Sequence, residues 1–320
     1  MKRSAVNLVI RLAQHLFDES NINTVPAVDA ITPSDWGLIA GEPELRARYA
    51  RIAEGMIGFD VTTLGSQDFF KQGLFLFTTA NGVVGDLGET YAEKKMIVGP
   101  GQVTPTHYHW DKTEDIVNLS PVGSGRQLVI EVWLAHSMDY SRPRDEAARV
   151  PGRLANERFW IPKDSMQRGV NGQLYDPGST IVLDPHERVR LYGVQGGEAG
   201  NDGPIYHKFY GSTSGGPVLV GEVSKVNDDV RDNRFLEPLE RFSGIEPDEP
   251  AYRLLCNEVA ALLSDAPVHA EKRAEVEALV RMGTVPGQRL DDTLLGIGAI
   301  RARGQASIDC YEILRDYLAN

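Results

Sequence analysis

Gly101-Gln102-Val103-Thr104-Pro105-Thr106-His107-Tyr108-His109-Trp110-Asp111-Lys112-Thr113-Glu114-Asp115 is the stretch whose reading decides the fold. Side chains alternate faces along a β-strand, so His107 and His109, two positions apart, point the same way. Glu114, five residues after His109, closes on the same point after a bend. Two imidazoles and a carboxylate form a ligand set for a divalent first-row metal that binds substrate oxygens. The competing explanation is a pair of histidines on a wet strand face with an unrelated glutamate. The crowding of these side chains behind Gly99-Pro100-Gly101, beside the charged Lys112, favours the metal.

The spacing of Gly101, five residues, His-x-His, four residues and Glu114 resembles the first signature of the cupins, small metal-binding β-barrels. The resemblance implies one more histidine from a later strand. His15 sits in a helical pattern, His136 follows the strand-like Leu128 to Leu134, and His269 lies in a charged carboxy-terminal helix. His186 follows a proline in the turn Asp184-Pro185-His186-Glu187. His207, in Pro204-Ile205-Tyr206-His207-Lys208-Phe209-Tyr210, has strand-forming neighbours on both sides and is the better candidate.

Composition narrows the function classes. At 320 residues, 42% hydrophobic and 24% charged, the chain reads as an ordinary globular protein with one large domain or a core with appendages. A net charge of −12 without a clustered basic surface argues against nucleic acid as a partner. Cys256 and Cys310 stand in helix-like contexts, which leaves no disulfide framework and no CxxC zinc site. The amino terminus lacks a signal peptide's apolar run and cleavage site, and no stretch approaches the roughly 18 apolar residues of a membrane helix. A cytoplasmic, membrane-free protein acting on small molecules is the expectation.

Apolar residues recur at helical spacing from Ser4 to Phe17, predicting an amphipathic helix with Ser4 as its cap. A loop through Pro26 and Thr32-Pro33-Ser34-Asp35-Trp36 leads to a second helix near Pro43 to Ile57. From Gly58 the texture changes to short β-branched and aromatic runs at 74–78, 94–98, 128–134, 180–183, 189–191 and 218–223, divided by turn residues. Many short strands without intervening helices imply antiparallel sheets closed into a sandwich or barrel. The predicted class is mainly β, a cupin-like double-stranded β-helix or jelly roll. Residues 1–68 are expected to form an N-terminal helical segment, 69–250 the barrel with its metal site, and 251–320 a C-terminal helical extension. Within that extension, 252–263, 270–282 and 309–318 carry helical periodicity. Ser137 to Asn156 and the glycine-rich Gly193 to Gly203 look inserted, and the latter lacks the order of a phosphate loop.

A metal held by His107, His109, Glu114 and His207 keeps open positions for two oxygens of a ligand, and mixed nitrogen and oxygen donors favour manganese, iron, cobalt, nickel or zinc over magnesium or calcium. Lys112 lies in the segment that must fold against this point. Glu222 is a lone acid in the apolar run Val218 to Val223, where burial is costly unless the acid is paired or functional. A base and an acid flanking a metal that polarises adjacent oxygens suit aldose–ketose interconversion through a cis-enediol. Lys112 serves as the base only if its pKa falls from about 10.4.

Longer motifs sharpen this. Tyr91-Ala92-Glu93-Lys94, the segment Gln102 to Ile116, Tyr206-His207-Lys208-Phe209-Tyr210, Gly221 to Asp229 and Asp232-Asn233-Arg234-Phe235 together resemble the D-lyxose isomerases of the cupin superfamily, over roughly residues 1 to 258. The resemblance implies a homodimeric, Mn2+-dependent enzyme interconverting D-lyxose with D-xylulose and D-mannose with D-fructose. It places the metal ligands on His107, His109, Glu114 and His207 and the active-site lysine on Lys112. Glu222 and Glu240 carry over as catalytic acids, and Asp229 and Arg234 as substrate contacts. The chain departs from the pattern at Leu119 to Gly125, in the loop Tyr192 to Pro204, past Val259, and at His186, which stands where a Pro-Gly-Glu turn has glycine. The nearest rivals are a cupin sugar-phosphate isomerase, which wants an Arg and Lys cluster for phosphate, and a metal-dependent cupin oxygenase, against which the acid-rich Asn227 to Glu240 argues. A sugar-binding cupin without enzymatic activity is a third.

Overall fold

The structure, a computed structural model, describes residues 1–135, 154–165, 169–193, 203–226, 228, 232–237, 239, 242, 244–283, 312 and 315. The insertion beginning at Ser137, the interior of the Gly193 to Gly203 loop, Cys310 and most of the predicted helix at 309–318 lie outside the described residues. By contact density the chain divides into two units, one of residues 1–63, 74–81 and 242–320, the other of 64–73 and 82–241.

In the first unit, apolar periodicity does produce the leading helix, α1 (Arg3–Glu19), which buries Val6, Val9, Leu12, Ala13, Leu16 and Phe17. Ser4 is not its cap. The N-cap is Lys2, without a side-chain bond, and Ser4 sits in the first turn, where Asp248 accepts both its N–H (2.9 Å) and its Oγ–H (2.6 Å). A carboxylate from far along the chain thus satisfies the helix start, as the positive end of the helix dipole favours.

After the single turn α2 (Pro26–Asp29), α3 (Pro33–Gly41) forms where a loop was expected. Thr32 accepts from the Asp35 N–H (3.2 Å) and Asp35 accepts from the Thr32 N–H (3.0 Å), a reciprocal cap with proline at the first helical position. The helix α4 (Pro43–Glu54) follows, then strands β1 (Gly58–Thr62) and β2 (Leu74–Asn81), paired antiparallel with Phe59 opposite Phe77.

Of the tail, α5 (Cys256–Leu263) and α6 (Ala270–Arg281) are described, and Cys256 is buried and in no disulfide. Val276 and Leu279 of α6 bury against Trp36, Ile39 and Leu262, each contributing roughly 1.5–3 kcal/mol by leaving water. Arg3 and Glu258, both buried, pair across more than 250 residues of chain. Among the described residues, no helix is long and apolar enough to cross a membrane.

The second unit holds β3 (Tyr91–Val98), β4 (Thr104–His109), β5 (Glu114–Asn118), β6 (Leu128–Leu134), β7 (Phe159–Ser165), β8 (Gly169–Tyr175), β9 (Ser179–Leu183), β10 (Glu187–Leu191), β11 (Ile205–Gly211), β12 (Val218–Lys225) and β13 (Asn233–Phe235). They pair antiparallel in the orders β3-β12-β5-β10-β7-β8 and β13-β4-β11-β6-β9. Apart from the β7–β8 hairpin, sequential strands alternate between the two sheets, the jelly-roll connectivity that the cupin spacing implied. Alternation decides which face is core: in β6, Leu128, Ile130, Val132 and Leu134 are buried while Val129, Glu131 and Trp133 are half-buried. The hairpin β7–β8 was not anticipated, because Pro162, Gly169 and Gly172 argue against strand. Its place explains the exception: β8 ends the sheet, and the β10 ladder reaches only Lys163 to Ser165, so Pro162 owes it no hydrogen bond.

Candidate metal and proton-transfer site

The register delivers the ligands. On β4, His107 and His109 share a face. On β11, His207 lies directly opposite His107, next to an irregularity in the ladder between His207 and Phe209. The three imidazoles are buried, and one ring nitrogen from each lies within 4.8 Å of the others. Glu114 opens β5 opposite Ser224 of β12, the face that Glu222 shares. Its Oε2 is 3.3 Å from His109 Nε2, and its Oε1 is 3.0 Å from His207 Nε2.

The last pair tests whether the residues suit a metal. His207 Nε2 and Glu114 Oε1 are buried and close, yet they are not aligned as a hydrogen bond. Lone pairs aimed at a common third point, rather than at each other, produce that geometry. A carboxylate and three imidazoles, with no thiolate, are the donor types of a first-row divalent ion. His107 Nδ1 meets the Pro105 carbonyl (2.7 Å) and His207 Nδ1 meets the Ile205 carbonyl (3.3 Å). Each carbonyl fixes the proton on Nδ1 and leaves Nε2 as the donor atom. Burial, with the neighbouring His207 and His109, holds His107 well below the ordinary histidine range, so its ring is neutral as a ligand must be.

Beside this cluster lies a chain of buried charges. Lys112 Nζ is 2.9 Å from Glu114 Oε2 and 2.7 Å from Glu222 Oε1. Glu222 also accepts from Ser224 Oγ (3.0 Å) and lies 3.6 Å from Lys94 Nζ. Burial pushes the Glu222 carboxyl up, but Lys112 and then Lys94 outweigh it and hold the group below its usual value. Burial likewise pulls Lys112 down, yet Glu114 and Glu222 carry it above the ordinary lysine value. That reverses the depressed pKa a lysine base requires: Lys112 stands as an ammonium between two carboxylates.

His186 is not part of the cluster. It occupies the β9–β10 turn with φ of +69°, the left-handed backbone that glycine favours, and its N–H donates to the Asn118 carbonyl (2.7 Å). Arg234 is not brought there either. It pairs opposite Tyr108, so it shares the face of Tyr108 and Trp110, away from the histidines, and its guanidinium lies over the Trp110 ring (5.9 Å). Asp229 and Glu240 lie outside the described residues. The residues that face the site without having been singled out are Lys94, Ser224, Asp232, Asn233 and Phe235. Lys94 and Ser224 sit opposite Glu222 and Glu114, and Asn233 and Phe235 opposite His109 and His107. All five lie within the quoted motifs, but only strand pairing shows which of them share the histidines' face.

Gly193 explains one of the glycines after β10. A Cβ there would meet the Lys112 carbonyl at 2.8 Å and the His109 carbonyl at 3.0 Å, so only glycine lets this backbone lie against the turn that carries Lys112.

The D-lyxose isomerase family model matches residues 1–259. The chain belongs to the D-lyxose isomerase family. Within that family it is 36% identical to the D-lyxose/D-mannose isomerase of Serratia proteamaculans over 260 residues, covering 81% of this chain and 97% of that protein. It is 34% identical to the D-lyxose/D-mannose isomerase of Escherichia coli O157:H7, covering 81% and 98%. Among solved structures, the Cellulomonas parahominis L-ribose isomerase with L-ribose overlaps 68% of this chain and 99% of its own at a TM-score of 0.34 and 13% identity. The family match ends within α5, so α6 lies past it.

Proposed function

We propose that this protein is a divalent-metal-dependent aldose–ketose isomerase that interconverts D-lyxose with D-xylulose and D-mannose with D-fructose through a cis-enediol. The observation that carries this reading is the buried cluster of His107, His109, His207 and Glu114 in contact with the Lys112–Glu222 pair. The names of the relatives supply the sugars. When bound, the ion supplies Lewis-acid polarisation of the sugar's carbonyl and hydroxyl oxygens.

The chain's own residues supply the proton chemistry. Glu222, ionised between Lys112 and Lys94, takes the proton from carbon 2 and returns it to carbon 1. Lys112, as an ammonium, donates to the oxygen on which charge develops and accepts the proton back. Ser224 holds Oε1 of Glu222, which leaves its other oxygen for the substrate. Phe235, packed on His107 with ring centroids 5.3 Å apart, excludes water from that side. We also propose Mn2+ as the ion, a homodimeric assembly and a cytoplasmic location, each supported by the family resemblance, with Asp229 and Glu240 as further sugar-facing acids.

Turnover of D-lyxose to D-xylulose by metal-stripped protein, followed on readdition of Mn2+, tests the reading. Activity restored by Mn2+ and absent without it is expected. Equal activity with and without metal overturns metal dependence, and no ketose in either condition overturns the isomerase assignment.

A further inference from the structure

Of the three imidazoles, two are oriented by their own strands. The carbonyl partners of His107 and His207 each lie two residues earlier, at Pro105 and Ile205, so they are in place wherever the strand is in place. His109 differs. Its Nδ1 faces Asp232 Oδ2 at 3.5 Å, a carboxylate 123 residues further along the chain. Asp232 is 2% exposed, and its other oxygen accepts the Asp111 N–H at 2.6 Å. Its backbone carbonyl accepts the Trp110 N–H at 3.0 Å. One residue therefore sets a buried carboxylate against the outer nitrogen of His109, in charge contact rather than as an aligned hydrogen bond, while it holds the turn that leads to Lys112.

The two kinds of partner do different work. A carbonyl and a carboxylate both favour the proton on Nδ1, but at 3.5 Å the carboxylate acts on His109 through its full negative charge rather than through an aligned bond. It also pushes electron density through the ring to Nε2, the atom 3.3 Å from Glu114. Low exposure keeps water from screening that charge.

We propose that Asp232 is a positioning residue of the metal site, fixing the tautomer and ring orientation of His109 and strengthening it as a ligand. The inference rests on the metal-dependent reading above. An amide at this position keeps the volume and one acceptor oxygen, so it still receives the Asp111 N–H while the charge facing His109 is lost.

The test is Mn2+ titrated calorimetrically into the metal-stripped full chain, for the parent and for Asp232→Asn, with turnover measured at saturating Mn2+. The expected result is a dissociation constant raised about 10–100-fold, an apo melting temperature close to the parent's, and turnover largely recovered once metal saturates. An equal dissociation constant in both proteins overturns the proposal while leaving metal dependence standing. A parent that binds no Mn2+ overturns both. Nitrogen-15 histidine spectra of the zinc-loaded parent provide a second measurement that needs no variant. His109 should carry its proton on Nδ1, and a ring bound through Nδ1 with the proton on Nε2 overturns the proposal.

Discussion

Replacing Glu222 by glutamine separates two effects that its geometry combines. The carboxylate is 95% buried, 2.7 Å from Lys112 and 3.6 Å from Lys94. Glutamine keeps the shape and removes the charge. Breaking a buried ion pair while leaving its partner charged costs about 3–5 kcal/mol. The lower end applies here, because Lys112 keeps Glu114 at 2.9 Å. At about 2–4 °C per kcal/mol for a domain of this size, melting should fall by roughly 6–12 °C. If Glu222 is also the carbon base, turnover at saturating substrate and metal should fall about 10²-fold or more. Metal content should stay near parental, since Glu222 is not among the clustered imidazoles.

Thermal unfolding, metal analysis and D-lyxose turnover on one preparation read the three quantities. Adding Lys94→Met removes a stranded cation, so the double variant should recover part of the lost stability, a non-additivity expected only of groups in contact. Parental melting in Glu222→Gln refutes the buried charge chain. Parental turnover refutes the assignment of the base and leaves Glu222 as a structural acid.

Three further outcomes follow from the same geometry. His207→Ala should lose bound metal on equilibrium dialysis while His186→Ala retains it, because only His207 lies opposite His107. Thr32→Ala should lower unfolding free energy in urea by about 1 kcal/mol. The Thr32 hydroxyl and N–H hold Asp35 below its usual value, so the cap's contribution is complete above the unfolded carboxyl value near 4 and disappears as pH falls through the lower folded value. The gap between Thr32→Ala and the parent should therefore narrow in acid, the Asp35 N–H bond to Thr32 Oγ being the part that does not titrate. Isomerisation in deuterated water should leave partial label at the transferred position, as a base that exchanges with solvent requires; complete retention under all conditions points to a hydride shift instead.

Much of the site was legible because its signals are local. His-x-His on a strand and a glutamate after a tight bend need no knowledge of the rest of the fold, and the β11 segment around His207 announced itself by its strand-forming neighbours. The helix α3 was missed for the opposite reason. Its start, Thr32-Pro33-Ser34-Asp35, contains the cap in plain view, but proline and serine are common both in loops and in the first turn of a helix. Ser4 was credited with a cap that Asp248 supplies from the far end of the chain, and no local pattern encodes such a partner. The hairpin β7–β8 was hidden by Pro162 and its glycines, whose tolerance depends on where the ladder ends.

The charged residues around the histidine cluster show where residue type stops being informative. Asp232, Asn233, Arg234 and Phe235 form one continuous motif, and an arginine is the member most readily assigned to a sugar. Strand parity decides otherwise: pairing Asn233 with His109 and Phe235 with His107 turns both inward, and the same pairing turns Arg234 out over Trp110. A slip of one residue in β13 would exchange the faces and bring the guanidinium to the histidines. Asp232 anchors one end of this pairing through the N–H groups of Trp110 and Asp111, and the Leu236 N–H to the Thr106 carbonyl anchors the other. The same residue that faces His109 therefore also anchors the end of the strand whose pairing turns Asn233 and Phe235 toward the histidines and Arg234 away from them.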